Sequence, residues 1–437
     1  MRTFVLVLTA GCLLLLTQSA SSSITKMSIE GHWEGVMVRA GAMVKVTFNF
    51  QRKAKGLEGN FSSASQGVLE YPLNIVRYEH PNVHFELGDD GALLFDGRYE
   101  NDSTIIGTFK DGDAKGTFSL KRAAVEPLPY KIEEVRFQNG PVVLSGSLLV
   151  PNTRGPHPAI IFLHGSGPES RWGSARFRAD GFARREIAAL IYDKRGVGGS
   201  SGDWKRATFE DLADDAIAGL HFLQTRKEIN PRQIGIYGHS QGGFLTPLVA
   251  ARSNALAFII SAASYAGPAY EQDIYRVRKS LRKHGYSDEE VKEAMEMYTL
   301  FIDVARSGQG WEQYEAAIEK SRNKKWFDFL ELPPKDDWLW QYYLGTGNFN
   351  TLPYWEKVRV PTLLIYGERD ELVPPIESLT KIEKALEKAA NEQYTAILIP
   401  KAAHNLAIYP DPAEPFSWWH TAPGVNDLMI AWVRLRF

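Results

Sequence analysis

The sequence predicts an α/β protein: a mostly parallel, eight-stranded sheet covered by helices on both faces, preceded by an all-β unit and interrupted by a helical insertion. Three observations predict it. Beyond residue 130, continuous apolar runs that suit strands buried on both faces alternate with amphipathic helical stretches. Ahead of them, short alternating runs are separated by Gly, Asp and Asn clusters, the pattern of an all-β unit. Between residues 265 and 355 the alternation gives way to a charged stretch of helical period, rich in Trp, Tyr and Phe.

Taken in chain order, residues 1–22 carry a small positive start (Met1-Arg2-Thr3), an apolar run from Phe4 to Leu16 and a small polar stretch from Thr17 to Ser23. This is the pattern of a signal peptide cleaved between Ser19 and Ser22, and it is too short to span a bilayer. The expected location is therefore secreted or periplasmic. Leu8-Thr9-Ala10-Gly11-Cys12 has elements of a lipoprotein processing site, but too few apolar residues precede Cys12. Cys12 is the one cysteine of the chain. Its removal leaves a mature protein without disulfides, a thiolate nucleophile or a cysteine-ligated metal.

Residues 23–125 form the expected all-β unit, with runs at Gly31 to Val38, Met43 to Phe50, Leu73 to Tyr78, Val83 to Leu87, Leu93 to Tyr99, Thr104 to Phe109 and Gly116 to Leu120. Their spacing suggests a small sandwich or barrel. Pro127-Leu128-Pro129 marks a linker. The α/β unit then takes residues 126–264 and 356–437, with the helical insertion at 265–355 following its sixth strand. Ser287-Asp288-Glu289-Glu290 reads as a capping box opening a helix that ends near Ser307-Gly308.

The most informative segment is Gly238-His239-Ser240-Gln241-Gly242-Gly243, which follows the apolar run Ile234 to Tyr237 and precedes a helical stretch from Phe244. Strand, sharp turn and helix place Ser240 at the turn, with small residues flanking a strained backbone. Such a turn raises a hydroxyl above the sheet and leaves the N–H of Gln241 free for an oxyanion. A serine needs a base, and the base an orienting carboxylate. Asp370 follows the run Leu363 to Tyr366, and His404 follows the run ending at Ile399. Both lie just past the carboxyl ends of strands, where sites form in such sheets. A carboxylate there also serves as a helix cap, and His420 is the alternative base. His239 is too near Ser240 to serve it and is expected to pack structurally. A second oxyanion donor is expected from the backbone N–H of Ser166 in His164-Gly165-Ser166-Gly167-Pro168, which otherwise reads as a plain Gly/Pro loop.

Two patterns are set aside. Arg195-Gly196-Val197-Gly198-Gly199-Ser200-Ser201 has Ser where a dinucleotide loop requires its last Gly. Asp211, Asp214 and Asp215 suit a capped helix start, with Thr208 as cap, better than a metal site. No metal or cofactor is expected. A net charge of −2 on 437 residues gives no electrostatic case for nucleic acid.

HGSGP, YDKRGVGGSSG, GHSQGG, GERD and KAAHN occur in that order. With them the chain resembles the α/β-hydrolase superfamily of serine hydrolases, and within it exported bacterial carboxylesterases that carry a small β-rich N-terminal domain. The resemblance implies a Ser240–Asp370–His404 triad, an oxyanion hole from the amides of Ser166 and Gln241, and hydrolysis of small-molecule esters of short to medium acyl length. Peptidase, amidase or thioesterase chemistry on the same triad, and a binding protein on a hydrolase scaffold, are the alternatives. The insertion and the N-terminal unit lie outside the shared motifs, so substrate-binding residues stay unassigned. So do the oligomeric state and the role of the β unit. The insertion's aromatics (Trp311, Trp326, Phe327, Phe329, Trp338, Trp340, Tyr342, Tyr343) suit either a pocket lining or a core of their own.

Overall fold

The computed structural model describes residues 28–437 apart from 55 and 89–91. The expected signal peptide, Cys12 and the turn at Asp89-Asp90-Gly91 lie outside the described residues. Nine strands come first: β1 (Gly31–Arg39), β2 (Ala42–Lys53), β3 (Gly56–Ser63), β4 (Val68–Pro72), β5 (Ile75–Glu79), β6 (Asn82–Leu87), β7 (Leu93–Asn101), β8 (Thr104–Asp111) and β9 (Ala114–Ala123). They form one antiparallel sheet in the order β4-β3-β2-β1-β9-β8-β7-β6-β5. Of the expected sandwich or barrel, the barrel is the nearer: the sheet curls into a half-barrel, bringing Phe48 of β2 against Phe85 of β6, and stays open between β4 and β5. Alternation still sets the faces, and one face gathers Trp33, Phe48, Phe85, Phe95 and Phe118 into a buried core.

The second sheet holds β10 (Tyr130–Asn139), β11 (Val142–Pro151), β12 (His157–Leu163), β13 (Ala188–Tyr192), β14 (Ile229–His239), β15 (Phe258–Ala262), β16 (Thr362–Gly367) and β17 (Tyr394–Ile399). Their order is β10-β11-β13-β12-β14-β15-β16-β17. Of these eight, β11 runs against the rest. Strands β12, β13, β15 and β16, and β14 from Ile234 to Gly238, are almost wholly buried because helices cover both faces. On one face lie α1 (Ser174–Ala183) and α10 (Val425–Arg434), burying Phe182, Met429 and Val433. On the other lie α2 (Phe209–Gln224), α3 (Gln241–Arg252) and α9 (Pro375–Lys388), burying Leu220, Leu248 and Leu386.

Between β15 and β16 come α4 (Ala269–Lys283), α5 (Asp288–Ser307), α6 (Trp311–Ser321), α7 (Leu339–Thr346) and α8 (Leu352–Trp355). Ser287 and Glu290 form the capping box of α5, and Gly308 ends that helix at φ 70. Thr208 and Asp211 form that of α2. The neighbouring acids are spent on ion pairs, Asp215 with Arg195 at 2.7 Å and Asp214 with Arg252 at 2.5 Å.

The two sheets are joined by a charged contact. Leu69 of β4 and Gly173, the residue before α1, exchange backbone hydrogen bonds. Beside them Arg176, 1% exposed, donates from Nε and Nη2 to the two oxygens of Glu70 at 2.8 and 3.2 Å, and from Nη1 to the Tyr130 hydroxyl at 3.1 Å. A bidentate guanidinium–carboxylate pair is directional, so it fixes the angle between the units as well as their contact. Breaking such a pair strands a buried charge. Glu70→Ala is therefore expected to destabilise the protein by about 3 kcal/mol, the low end for a buried pair because Glu70 is partly exposed. Urea unfolding measures it; a loss below about 1 kcal/mol would show that the units hold together without this pair.

Candidate active site

The chain enters the site on β14 and turns at Ser240, whose φ of 55 and ψ of −118 are unusual for a residue with a side chain. Neighbouring glycines permit the turn. A Cβ on Gly238 would stand 2.0 Å from the carbonyl oxygen of Gly242, and one on Gly242 would stand 2.9 Å from those of Leu163 and His164. Strand, helix and the loop after β12 thus approach as closely as backbone allows. Gln241 opens α3, so its N–H has no acceptor within the helix.

Ser240, Gln241, Ser166 and His404 line one cavity of about 580 Å³. Asp370 stands behind His404, its side chain fully buried, and accepts from the imidazole Nδ1–H at 2.8 Å. That bond leaves Nε2 of a neutral ring as the unprotonated nitrogen. The other Asp370 oxygen accepts the N–H groups of Leu372 and Val373 at 2.8 and 2.9 Å. The carboxylate therefore shapes its own turn and holds the histidine, combining the two roles the sequence allowed. The His239 ring packs against that of His404 with centroids 4.9 Å apart, and its Nε2–H donates to the His404 carbonyl at 2.8 Å. Burial holds His239 down to about 3, so it stays neutral. His420 instead pairs its strand with Ala407 and Ile408 and lies outside the cavity lining.

Sequence reasoning missed the charged support of the loop after β12. Lys194 is buried at the carboxyl end of β13, and its ammonium donates to the carbonyls of Gly165 and Gly167 at 2.8 and 3.1 Å and to Oε1 of Gln241 at 2.7 Å. Glu169 accepts the Gly165 N–H at 2.6 Å. Gln241 passes its amide N–H on to the Tyr342 hydroxyl at 2.7 Å. One cation thereby fastens both loops that flank Ser240. The available signal was Asp193-Lys194-Arg195, three charges directly after a fully apolar strand and all buried. Only exposed loops carry such runs without partners.

The insertion supplies the far wall. Trp338, Tyr342 and Tyr343 line the cavity, whereas Trp311, Trp326, Phe327, Phe329 and Trp340 pack in the insertion's own core, which Tyr343 also flanks. The aromatics thus divide between the two roles expected of them. Asp273 and Arg276 line the cavity too, with Nε to Oδ1 at 3.3 Å, and the Tyr343 hydroxyl donates to Asp273 at 3.0 Å. Burial pushes the Asp273 carboxyl up. A larger groove of about 930 Å³ on the N-terminal sheet, bordered by Arg77, Glu79, His84, Asp96 and Arg98, shares no residue with this cavity.

Fold and cavity together define an α/β-hydrolase. Residues 154–411, more than half the chain, match the family of the serine aminopeptidases, S33, and the chain belongs to that family. Esterase EstD of Thermotoga maritima is 23% identical over 376 residues, covering 82% of this chain and 81% of its own. The quorum-quenching protein AidA of Acinetobacter baumannii is 31% identical over 133 residues, 29% of this chain and 42% of that protein. Among solved structures, the Pyrococcus furiosus esterase Pf2001 is 17% identical with a TM-score of 0.44, covering 72% of this chain and 93% of that one.

Burial pushes Lys194 down to about 8, with Glu169 pulling the other way. Its three hydrogen bonds need the ammonium, so hydrolysis is expected to fall as pH rises through about 8. Lys194→Met should be slow throughout and lack this alkaline limb. The fold should not share the loss. A free lysine titrates near 10.4, so between about 8 and 10.4 the unfolded chain binds more protons, and this group's contribution to stability rises with pH. A limb that persists in Lys194→Met would assign it to another group.

Proposed function

We propose that this chain is an exported serine carboxylesterase that hydrolyses short to medium acyl esters through an acyl-enzyme. The observation that carries the reading is the convergence of Ser240, the Asp370-held His404 and two backbone turns on one cavity. Ser240 Oγ attacks the ester carbonyl while His404 Nε2 takes its proton. Asp370 keeps the imidazole in the tautomer that accepts at Nε2 and stabilises the imidazolium that forms. The N–H groups of Gln241 and Ser166 receive the oxyanion. His404 returns the proton to the departing alcohol, then activates the water that releases the acid.

The family's name and the Asp273 carboxylate favour a second reading, an aminopeptidase that binds a substrate ammonium. Against it, Arg276 already compensates Asp273, and Tyr343 takes one of its oxygens. Trp338, Tyr342 and Leu339 present an apolar wall that suits an acyl chain better than a charged terminus.

Ser240→Ala is expected to lower turnover by on the order of 10⁶ with the fold intact, and His404→Ala to be nearly as damaging. His420→Ala should be mild; the reverse ranking of the two histidines would move the base to His420. Substrate class is decided by comparing p-nitrophenyl esters of increasing acyl length with aminoacyl and dipeptidyl anilides. A maximum of kcat/KM among the short to medium esters is expected. Higher values on any anilide would make the chain a peptidase.

A further inference from the structure

Behind the loop after β12 lies a second cavity of about 260 Å³. Residues 66–68 of the N-terminal unit, the first turn of α1, the ends of β12 and β14, and Asn405 enclose it. It holds a guanidinium without an anion. Arg178 is 8% exposed, its Nη1 is fully buried with no partner, and it stands over the Tyr237 ring at 5.3 Å. Tyr237 also lines the cavity, and its buried hydroxyl lies within the influence of the same guanidinium. The other buried arginines each have a carboxylate, Arg171 Glu134, Arg176 Glu70 and Arg195 Asp215, although Nε and Nη1 of Arg171 are also buried without a partner. Among the described residues Arg178 has no such carboxylate.

Nothing else in the lining neutralises it. Glu169 is there, but its carboxylate takes the Gly165 N–H and the attraction of Lys194. His164 and His239 are held neutral by burial, both down to about 3. Ser174 and Ala175 begin α1, and the residue before them is Gly173, with no side chain to cap their N–H groups. A helix start adds positive potential and free donors. An isolated buried charge is expensive, and so is a buried donor without an acceptor. Guanidinium and helix amides around one space share a single remedy, a bound acceptor with negative charge.

We propose that this cavity binds a small monoanion, a short carboxylate or a halide, held by Arg178 and the start of α1. The site is separate from the roles proposed for Ser240, and it lies on the seam between the two units, where Leu69 meets Gly173. An occupied site therefore stabilises that seam. It also presses on His239, which lines the cavity and holds the His404 carbonyl.

The test uses the full chain carrying Ser240→Ala, so that carboxylates cannot act through the catalytic hydroxyl. Thermal unfolding is followed in sodium formate, acetate, chloride and bromide against gluconate at constant ionic strength. A saturable rise of about 2 °C or more is expected with formate and acetate, with chloride and bromide, or with both. The series that saturates at lower concentration identifies carboxylate or halide as the preferred class. Arg178→Met should lose the rise and, in gluconate, melt no lower than its parent, because it removes an unpaired charge. An equal rise in Arg178→Met, or no rise with any of the four anions, overturns the proposal and leaves water as the occupant. Should Arg178→Met fail to fold, crystals of the parent soaked separately in bromide and in formate decide: a bromide anomalous peak or formate density within hydrogen-bond reach of Arg178 supports the site, and the absence of both overturns it.

Discussion

The backbone of Ser240 is the constraint on which the catalytic half depends. A serine at φ 55 is strained, and strain persists only where the surroundings over-determine it. Here β14 is paired on both sides through its last turn, α3 begins at the next residue, and Gly242 lies against the loop after β12. Relaxing Ser240 would pull α3 off the sheet. The same closeness that traps the serine brings Gln241 beside Gly165 and Ser166, so the proposed nucleophile and both proposed oxyanion donors follow from one packing arrangement.

Charge is the second organiser. Lys194, Asp370, Asp193 and Arg195 crowd the carboxyl edge of the sheet, where β12, β13, β14 and β16 end, with Glu169 beside them at the surface. Strand ends release backbone carbonyls and amides that the sheet no longer pairs, and these groups solvate the buried charges. Lys194 shows the exchange most clearly, with two backbone carbonyls and one side-chain carbonyl around its ammonium. A methionine of similar volume would fill the space but leave those carbonyls without donors. That is why the cation is retained despite the desolvation that lowers its proton affinity.

Much of the fold was legible because burial on both faces leaves long apolar runs that nothing else explains. Strands β12, β13, β15 and β16 and the second half of β14 are of that kind. In the N-terminal sheet β3 and β4 escaped notice. Gly56, Gly59, Asn60, Ser62 and Ser63 give β3 the composition of a loop, and its place beside β2 is decided by Phe48 packing on Phe61. Local pattern cannot see such a cross-strand partner. At the site, residues tied to a backbone device were legible: a strained turn for Ser240, strand ends for Asp370 and His404. Lys194 and Tyr342 were not, because their meaning arises from contacts between residues 27 to 101 positions apart, and spacing in sequence carries no trace of them.

The N-terminal sheet stands away from Ser240, yet it is wired to the same histidine. Residues 66–68 close the Arg178 cavity from one side, and His239 closes it from the other with Nε2–H on the His404 carbonyl. The C-terminal loop closes the circuit, since Trp418 donates to the carbonyl of Ala42 at 3.1 Å and packs on Phe109. A sheet that gripped only the outside of the catalytic unit would need neither a bidentate arginine nor a shared cavity. The sheet instead grips the catalytic unit at two places, α1 through Glu70–Arg176 and the segment after His404 through Ala42–Trp418.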